Sequence, residues 1–468
     1  MTLLLTSCLS GGISEVQNEI SDLEAVADEH GEDSPGPAEH GGETMAGEEV
    51  REAAIDGESA VGGGEQPDAG ERLKLSEAEL IAGLERAFDS YARIEQPEGE
   101  YLDASLVMLD ERRLVYSSHT EADGADRRVY VSAIRLLDVV AGETAVLAAD
   151  LPYRVDSLVY RVEEGLLEAA YYDYERGAYQ YASWALSGLQ AVAVADPRWT
   201  LTDNGRWALF RSNDAPGIWA MNKKGGQPVR ISDYDMDQRP LWFPGEDRFL
   251  YLAHTGNLLA DGSGFEYVLA EHDLAKGTSR VLPYEAGVWH LIGWAEPGKS
   301  VLVDHAFNEG ESVAYTEPRL LDIKTMAETR LADQALRSYN RAFNEALGEL
   351  TVQIPGYFIH YDSLGKIREV SPWAYEGGEI DEVWPQSFSP DGSAWAYVTD
   401  NGEGSGVNHS FILADASGMK RSHLLGTDGY AAPLAWSPDG TSLALLARFE
   451  DRLYAGVRRI GTAMEPKG

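Results

Sequence analysis

The chain has one cysteine in 468 residues, which excludes an internal disulfide. Basic residues are scarce: 38 Lys and Arg stand against 78 Asp and Glu, a formal net charge of −40. Phosphate backbones require clustered cations, so nucleic acid is excluded as a partner. The same acidity repels an anionic lipid surface. No stretch approaches the roughly 20 apolar residues of a membrane-spanning helix. No Gly-x-Ser-x-Gly nucleophile elbow is present. The nearest strings, Asp261-Gly-Ser-Gly264 and Gly402-Glu-Gly-Ser-Gly406, have the wrong spacing and fall in expected hairpin loops. No helical pattern follows Gly402, so it is no phosphate cradle.

What the chain does have is a repeat. Phe388-Ser-Pro-Asp-Gly-Ser-Ala-Trp-Ala-Tyr-Val398 returns 48 residues later as Trp436-Ser-Pro-Asp-Gly-Thr-Ser-Leu-Ala-Leu-Leu446. Pro390 and Pro438 preset φ for the first central turn position, Asp391 and Asp439 tolerate the next, and Gly392 and Gly440 accept the positive φ that follows. Such a turn joins two antiparallel strands. The aromatic residue before it is placed to wedge between sheets. The unbroken apolar run after it suits a strand buried on both faces.

Weaker copies precede these. Trp199 to Gly205 leads into Arg206–Phe210, Trp242 to Asp247 into Arg248–Leu252, Trp294 to Gly298 into Lys299–Val303, and Phe343 to Gly348 into Glu349–Gln353. Degenerate copies lie at Met108–Tyr116 and Arg161–Ala170. A second polar turn keeps the same beat, at Asp138–Thr144, Leu186–Gln190, Met221–Gln227, Asp273–Thr278, Asp322–Thr329, Asp362–Lys366, Asp415–Lys420 and, poorly, Val457–Gly461. Two signals therefore count eight units of roughly 40 to 52 residues with four strands each, the period of propeller blades. The fold class expected is all-β, an eight-bladed propeller. Seven blades is the alternative, because the last unit is short of a fourth strand and residues 95–102 would then lend one.

Phe388–Val398, Trp436–Leu446 and the run Arg206–Ser232 resemble the repeat of the TolB-type β-propellers over residues 101–461. The resemblance implies a fold and a class of role. Similar repeats occur in periplasmic and surface binding proteins and in propellers attached to hydrolases, and the pattern fixes no catalytic residue.

Cys8 follows Leu3, Leu4 and the small residues Thr6 and Ser7, which resembles a bacterial lipobox. The resemblance implies cleavage before Cys8, lipid attachment there and an extracytoplasmic, membrane-anchored address in the cell envelope. A positive leading segment and a full apolar stretch are missing, so either this start lies inside a longer signal peptide or the match is accidental. Residues 9–74 hold eighteen Asp or Glu against Arg51, Arg72 and Lys74, with Gly and Pro clusters. Low hydropathy and high like charge predict a disordered acidic tether. Ser76 and Glu79 have capping-box spacing, and Leu80, Leu84, Ala87, Phe88 and Tyr91 share a helical face. That predicts a helix over 76–93 on the propeller rim or under its channel, within a lead-in of 75–100. Residues 462–468 form a tail.

Candidate chemistry is sparse. Asp233-Tyr-Asp-Met-Asp237 begins like a calcium loop but has Gln238 at the glycine position and Pro244 at the glutamate position, so calcium is a weak alternative to a solvated loop. The ten histidines show no zinc spacing. His254, His290, His305 and His360 lie near expected strand ends and read as core or surface residues. Tyr171, Tyr172, Tyr174, Tyr179, Tyr181 and Trp184 crowd the second unit, and Trp373, Tyr375 and Trp384 precede the seventh. Aromatics serve either inter-blade packing or a binding surface. The expected role is a monomeric, non-enzymatic module binding an envelope protein, peptide or glycan. The alternative is a propeller hydrolase or lyase working at the channel mouth.

Overall fold

The computed structural model describes residues 76–95, 99–123, 128–187, 190–233, 239–258, 265–284, 288–307, 315–331, 340–354, 357–372, 382–400, 409–415, 421–427, 431–449 and 452–460. The repeated turns take the form their residues dictate. The Ser389 hydroxyl lies 2.6 Å from Asp391 Oδ1, and the Gly392 N–H donates to the Ser389 carbonyl at 2.8 Å with φ 71°. Ser437, Asp439 and Gly440 repeat this at 2.6 and 2.8 Å with φ 72°. The strands that follow, Ala394–Val398 and Leu443–Ala447, are buried at every position.

Eight four-stranded antiparallel sheets result. In seven of them the strands lie in chain order, from Glu100–Met108 to Glu143–Leu151 in the first blade through Glu382–Phe388 to Arg421–Thr427 in the seventh. First strands touch between the first and second, fourth and fifth, sixth and seventh, and seventh and eighth sheets, and the remaining neighbours meet through side chains. Glu100–Met108 also touches Ala431–Trp436 of the last sheet, so the sheets close into a ring. Last strands face outward; Thr278–Val281 and Glu328–Arg330 are exposed throughout.

Ring closure departs from the sequence reading. The eighth blade takes its outer strand from Ser90–Ile94, which pairs antiparallel with Arg452–Arg459, placing Ala92 opposite Ala455. Residues 95–102 therefore do not close the ring; Glu100–Met108 is already the inner strand of the first blade. Val457–Gly461 is likewise no turn, since Val457 continues the third strand and the fourth arrives from the other end of the chain. The helix spans Glu77–Ala87 and not 76–93. Its capping box forms, with the Ser76 N–H 2.7 Å from Glu79 Oε2. It stops because Phe88 turns extended (φ −120°, ψ 150°) and the Asp89 N–H donates to the Val457 carbonyl at 2.9 Å, so sheet pairing overrides helical spacing. Leu80 and Leu84 are buried against Leu424 and Leu425, which puts the helix on the rim beside the seventh blade. No helix among the described residues is long and apolar enough to cross a membrane.

The core lies in the seams between blades. Among the described residues seven seams carry a buried apolar cluster, such as Leu250, Leu252, Val301 and Val303 between the fourth and fifth blades. Each buried Leu, Val or Phe contributes about 1.5–3 kcal/mol. Among the described residues, no such cluster joins the second blade to the third. There the fully buried Glu168 carboxylate accepts from the Thr200 N–H (3.0 Å) and hydroxyl (2.7 Å), beside Arg161 at 3.2 Å. Asn213 bridges the same seam, accepting from the Tyr181 N–H and donating to its carbonyl, both at 2.8 Å.

Candidate functional site

In this topology the links from second to third strands, and from each blade to the next, share one face of the ring, while the glycine turns share the other. On the first face, a pocket of about 250 Å³ lies between the first and second blades. Tyr130 comes from the start of strand Arg128–Asp138, Tyr153 and Arg154 from the link between the blades, and Tyr171, Tyr172 and Tyr174 from the end of Leu166–Asp173 and its turn. Asp173 builds that turn, its Oδ1 accepting from the backbone N–H groups of Glu175 (2.9 Å) and Arg176 (3.2 Å).

The rings are ordered. Tyr153 and Tyr171 stack at 3.3 Å between centroids and 4° between planes. Tyr172 stands edge-on to Tyr174 (5.1 Å, 76°) and to Tyr179 (5.4 Å, 79°). Burial raises the pKa of both Tyr153 and Tyr171, and the Asp173 charge adds to the rise at Tyr171. Both phenols therefore stay neutral and able to donate a hydrogen bond at neutral pH.

Behind the pocket lies a polar brace. His119 Nδ1 is 2.6 Å from Asp103 Oδ1 and its Nε2 is 3.3 Å from Glu121 Oε1. Tyr101 stacks on the imidazole (5.7 Å, 30°) and Tyr130 meets it edge-on (5.5 Å, 74°). Arg154 Nε reaches the same Asp103 oxygen at 3.3 Å. The Asp103 side chain is fully buried, and burial raises its pKa against the opposing pull of His119, Ser117 and Arg154. Asp156 is also raised by burial, opposed by the Tyr172 N–H that donates to its Oδ2 at 3.1 Å. Both His119 nitrogens point at carboxylates, so neither faces the pocket as a ready base. The arrangement holds Arg154 and Tyr130 in place.

Of the residues singled out in the sequence, Tyr171, Tyr172 and Tyr174 line the pocket, whereas Tyr181 and Trp184 are buried in seams. The four histidines do not converge. His360 is buried between Thr351 Oγ1 (2.9 Å) and Ser371 Oγ (3.0 Å) on three strands of one blade. His290 lies 3.4 Å from the buried Asp304, His305 meets Tyr284 edge-on, and His254 Nδ1 accepts from the Gly256 N–H at 2.9 Å. Cys8, Asp235, Asp237, Trp373 and Tyr375 lie outside the described residues, as does the side chain of Trp384. Asp233 pairs with Arg230 at 3.1 Å. Among the described residues no three His, Cys, Asp or Glu side chains are grouped to hold a metal ion. The reading by sequence missed Tyr130, Tyr153 and the Asp103–His119–Arg154 brace.

Ring, closure and strand order define an eight-bladed β-propeller. No protein-family model matches the chain, and no curated protein does. Among solved structures it is similar to an oligogalacturonate lyase in complex with manganese (14% identity, 66% of this chain and 85% of that one, TM-score 0.42). It is similar to the β-propeller domain of the Trilobed protease from Pyrococcus furiosus (9%, 71% and 98%, TM-score 0.43) and to TolB from Acinetobacter baumannii (17%, 66% and 82%, TM-score 0.32). At such scores the fold assignment stands on the chain's own strand pairing.

Proposed function

We propose that this propeller is a non-enzymatic binding module of the cell envelope, held there by a lipid on Cys8 and presenting its loop face to a protein, peptide or glycan. The observation that carries the reading is the convergence of five tyrosines from two adjacent blades on one pocket. Tyrosines combine large apolar area, few rotamers and a polar tip, the profile of an interface anchor. Envelope placement is supported by the Leu3-to-Cys8 string and by the acidic segment 9–74, which suits a spacer between a lipid and a folded ring.

The test is calorimetric titration of the purified chain with peptides and oligosaccharides, repeated on Tyr172→Ala. Binding lost in the variant is expected; binding unaffected by the substitution overturns the pocket as the site. Turnover of any peptide or oligosaccharide tested, disappearing in Tyr172→Ala, overturns the non-enzymatic reading.

A further inference from the structure

The pocket's charge and shape narrow the partner, taking the binding reading above as given. Its volume of about 250 Å³ falls below the roughly 300–1,000 Å³ of small-molecule sites and suits one inserted side chain. Tyr172 and Tyr174, both in the lining, meet at 76° and form a corner, not the flat platform that a sugar ring stacks on. Tyr174 is 63% exposed and forms the open side. Asp173 and Glu175 stand at the same rim. Arg154, the cation in the wall, is already engaged by the buried Asp103 and offset further by Asp156. With Glu121 behind His119, carboxylates outnumber guanidinium groups around the cavity even when Arg176 is included.

We infer that this pocket receives a lysine or arginine side chain from a basic segment of a partner polypeptide. A cation over tyrosine faces is attracted by the ring quadrupole, and acidic neighbours add to that attraction. The formal charge of −40 over the chain draws a basic partner toward the surface before contact. Charge complementarity thus acts at long range, and the aromatic corner selects at short range.

The experiment uses the full chain with a soluble lysine-bearing peptide, the same peptide with its lysines acetylated, and a neutral oligosaccharide. Affinities are measured by fluorescence anisotropy or calorimetry at low and high salt. The lysine peptide is expected to bind, with affinity falling as salt rises. Acetylation and Tyr174→Ala are each expected to weaken it about tenfold, while Tyr174→Phe, which keeps the ring face, stays close to the parent. Glu175→Gln is expected to weaken it less than Tyr174→Ala. Equal affinity for acetylated peptide, or tighter binding of the oligosaccharide, with Tyr174→Ala still disruptive, overturns the cationic partner and leaves the pocket as a binding site. Binding that survives both Tyr172→Ala and Tyr174→Ala overturns the pocket itself. A thermal melt of each variant separates loss of binding from loss of fold.

Discussion

Trp294 and Trp242 hold the same place in consecutive blades, and the indole N–H of Trp294 donates to the Trp242 carbonyl at 2.8 Å. Trp436 makes a similar bond one residue earlier along the neighbouring strand, to the Ser387 carbonyl at 3.3 Å. In the fifth and eighth blades the tryptophan before the turn is thus a wedge with a polar tip that ties one inner strand to the next. Trp294→Phe keeps most of the apolar contact and removes the bond. It is expected to cost about 1 kcal/mol, read as a lower denaturant midpoint at unchanged slope. A variant as stable as the parent would show that the bond contributes nothing.

Two glycines with nearly the same backbone separate strain from crowding. Gly142 has φ 68° and open space where a Cβ would stand. Gly348 has φ 67°, and its Cβ would lie 2.1 Å from the Ala295 carbonyl oxygen of the preceding blade. Gly142→Ala is expected to cost about 1–2 kcal/mol from the left-handed conformation alone. Gly348→Ala must cost clearly more, because backbone has to move. Equal melting temperatures for the two variants would contradict this seam geometry.

Glu168 is the keystone of the polar seam. Glu168→Ala leaves Arg161 and the Thr200 N–H facing a void, at an expected cost of about 3–5 kcal/mol. Burial raises the Glu168 pKa despite Arg161 and Thr200. The folded chain therefore holds this proton more tightly than the unfolded one, so ionising Glu168 opposes folding as pH rises through its raised pKa. Glu168→Gln is expected to remove that slope in equilibrium unfolding between acidic and neutral pH. A slope unchanged in the Gln variant would place the titration elsewhere.

His360 works in the opposite sense. Burial, then the charges of Arg421 and Arg368, lower its pKa to about 4. The unfolded chain takes up a proton below about 6.5 that the folded chain refuses, so stability present above 6.5 is lost as pH falls toward 4. The shift corresponds to about 3 kcal/mol across that window. His360→Gln is expected to flatten the dependence of unfolding free energy on pH there. A variant with the parent's full acid sensitivity would remove His360 as its source.

The turns were legible because their chemistry is local. Ser389, Asp391 and Gly392 lie within four positions, and that spacing alone dictates a hairpin. The closing strand was not legible. Ser90–Ile94 carries Ser90 and Arg93, lacks an apolar run, and continues the helical spacing of Leu84 and Phe88; its partner lies at the far end of the chain. The site divides in the same way. Tyr171, Tyr172 and Tyr174 stand side by side in sequence, whereas Asp103, His119 and Arg154 meet only through strand register and the link between blades.

Pairing Ser90–Ile94 with Arg452–Arg459 has a consequence for how the ring is made. A nascent ring that has formed its first seven sheets still bares two apolar sheet faces, one on the first blade and one on the seventh, each able to receive a neighbouring molecule. Only the last three strands, joining the earliest one, cover both at once. Loop-closure entropy opposes this step more than any pairing between consecutive strands, and exposure at that stage is where misassembly between copies is expected to begin.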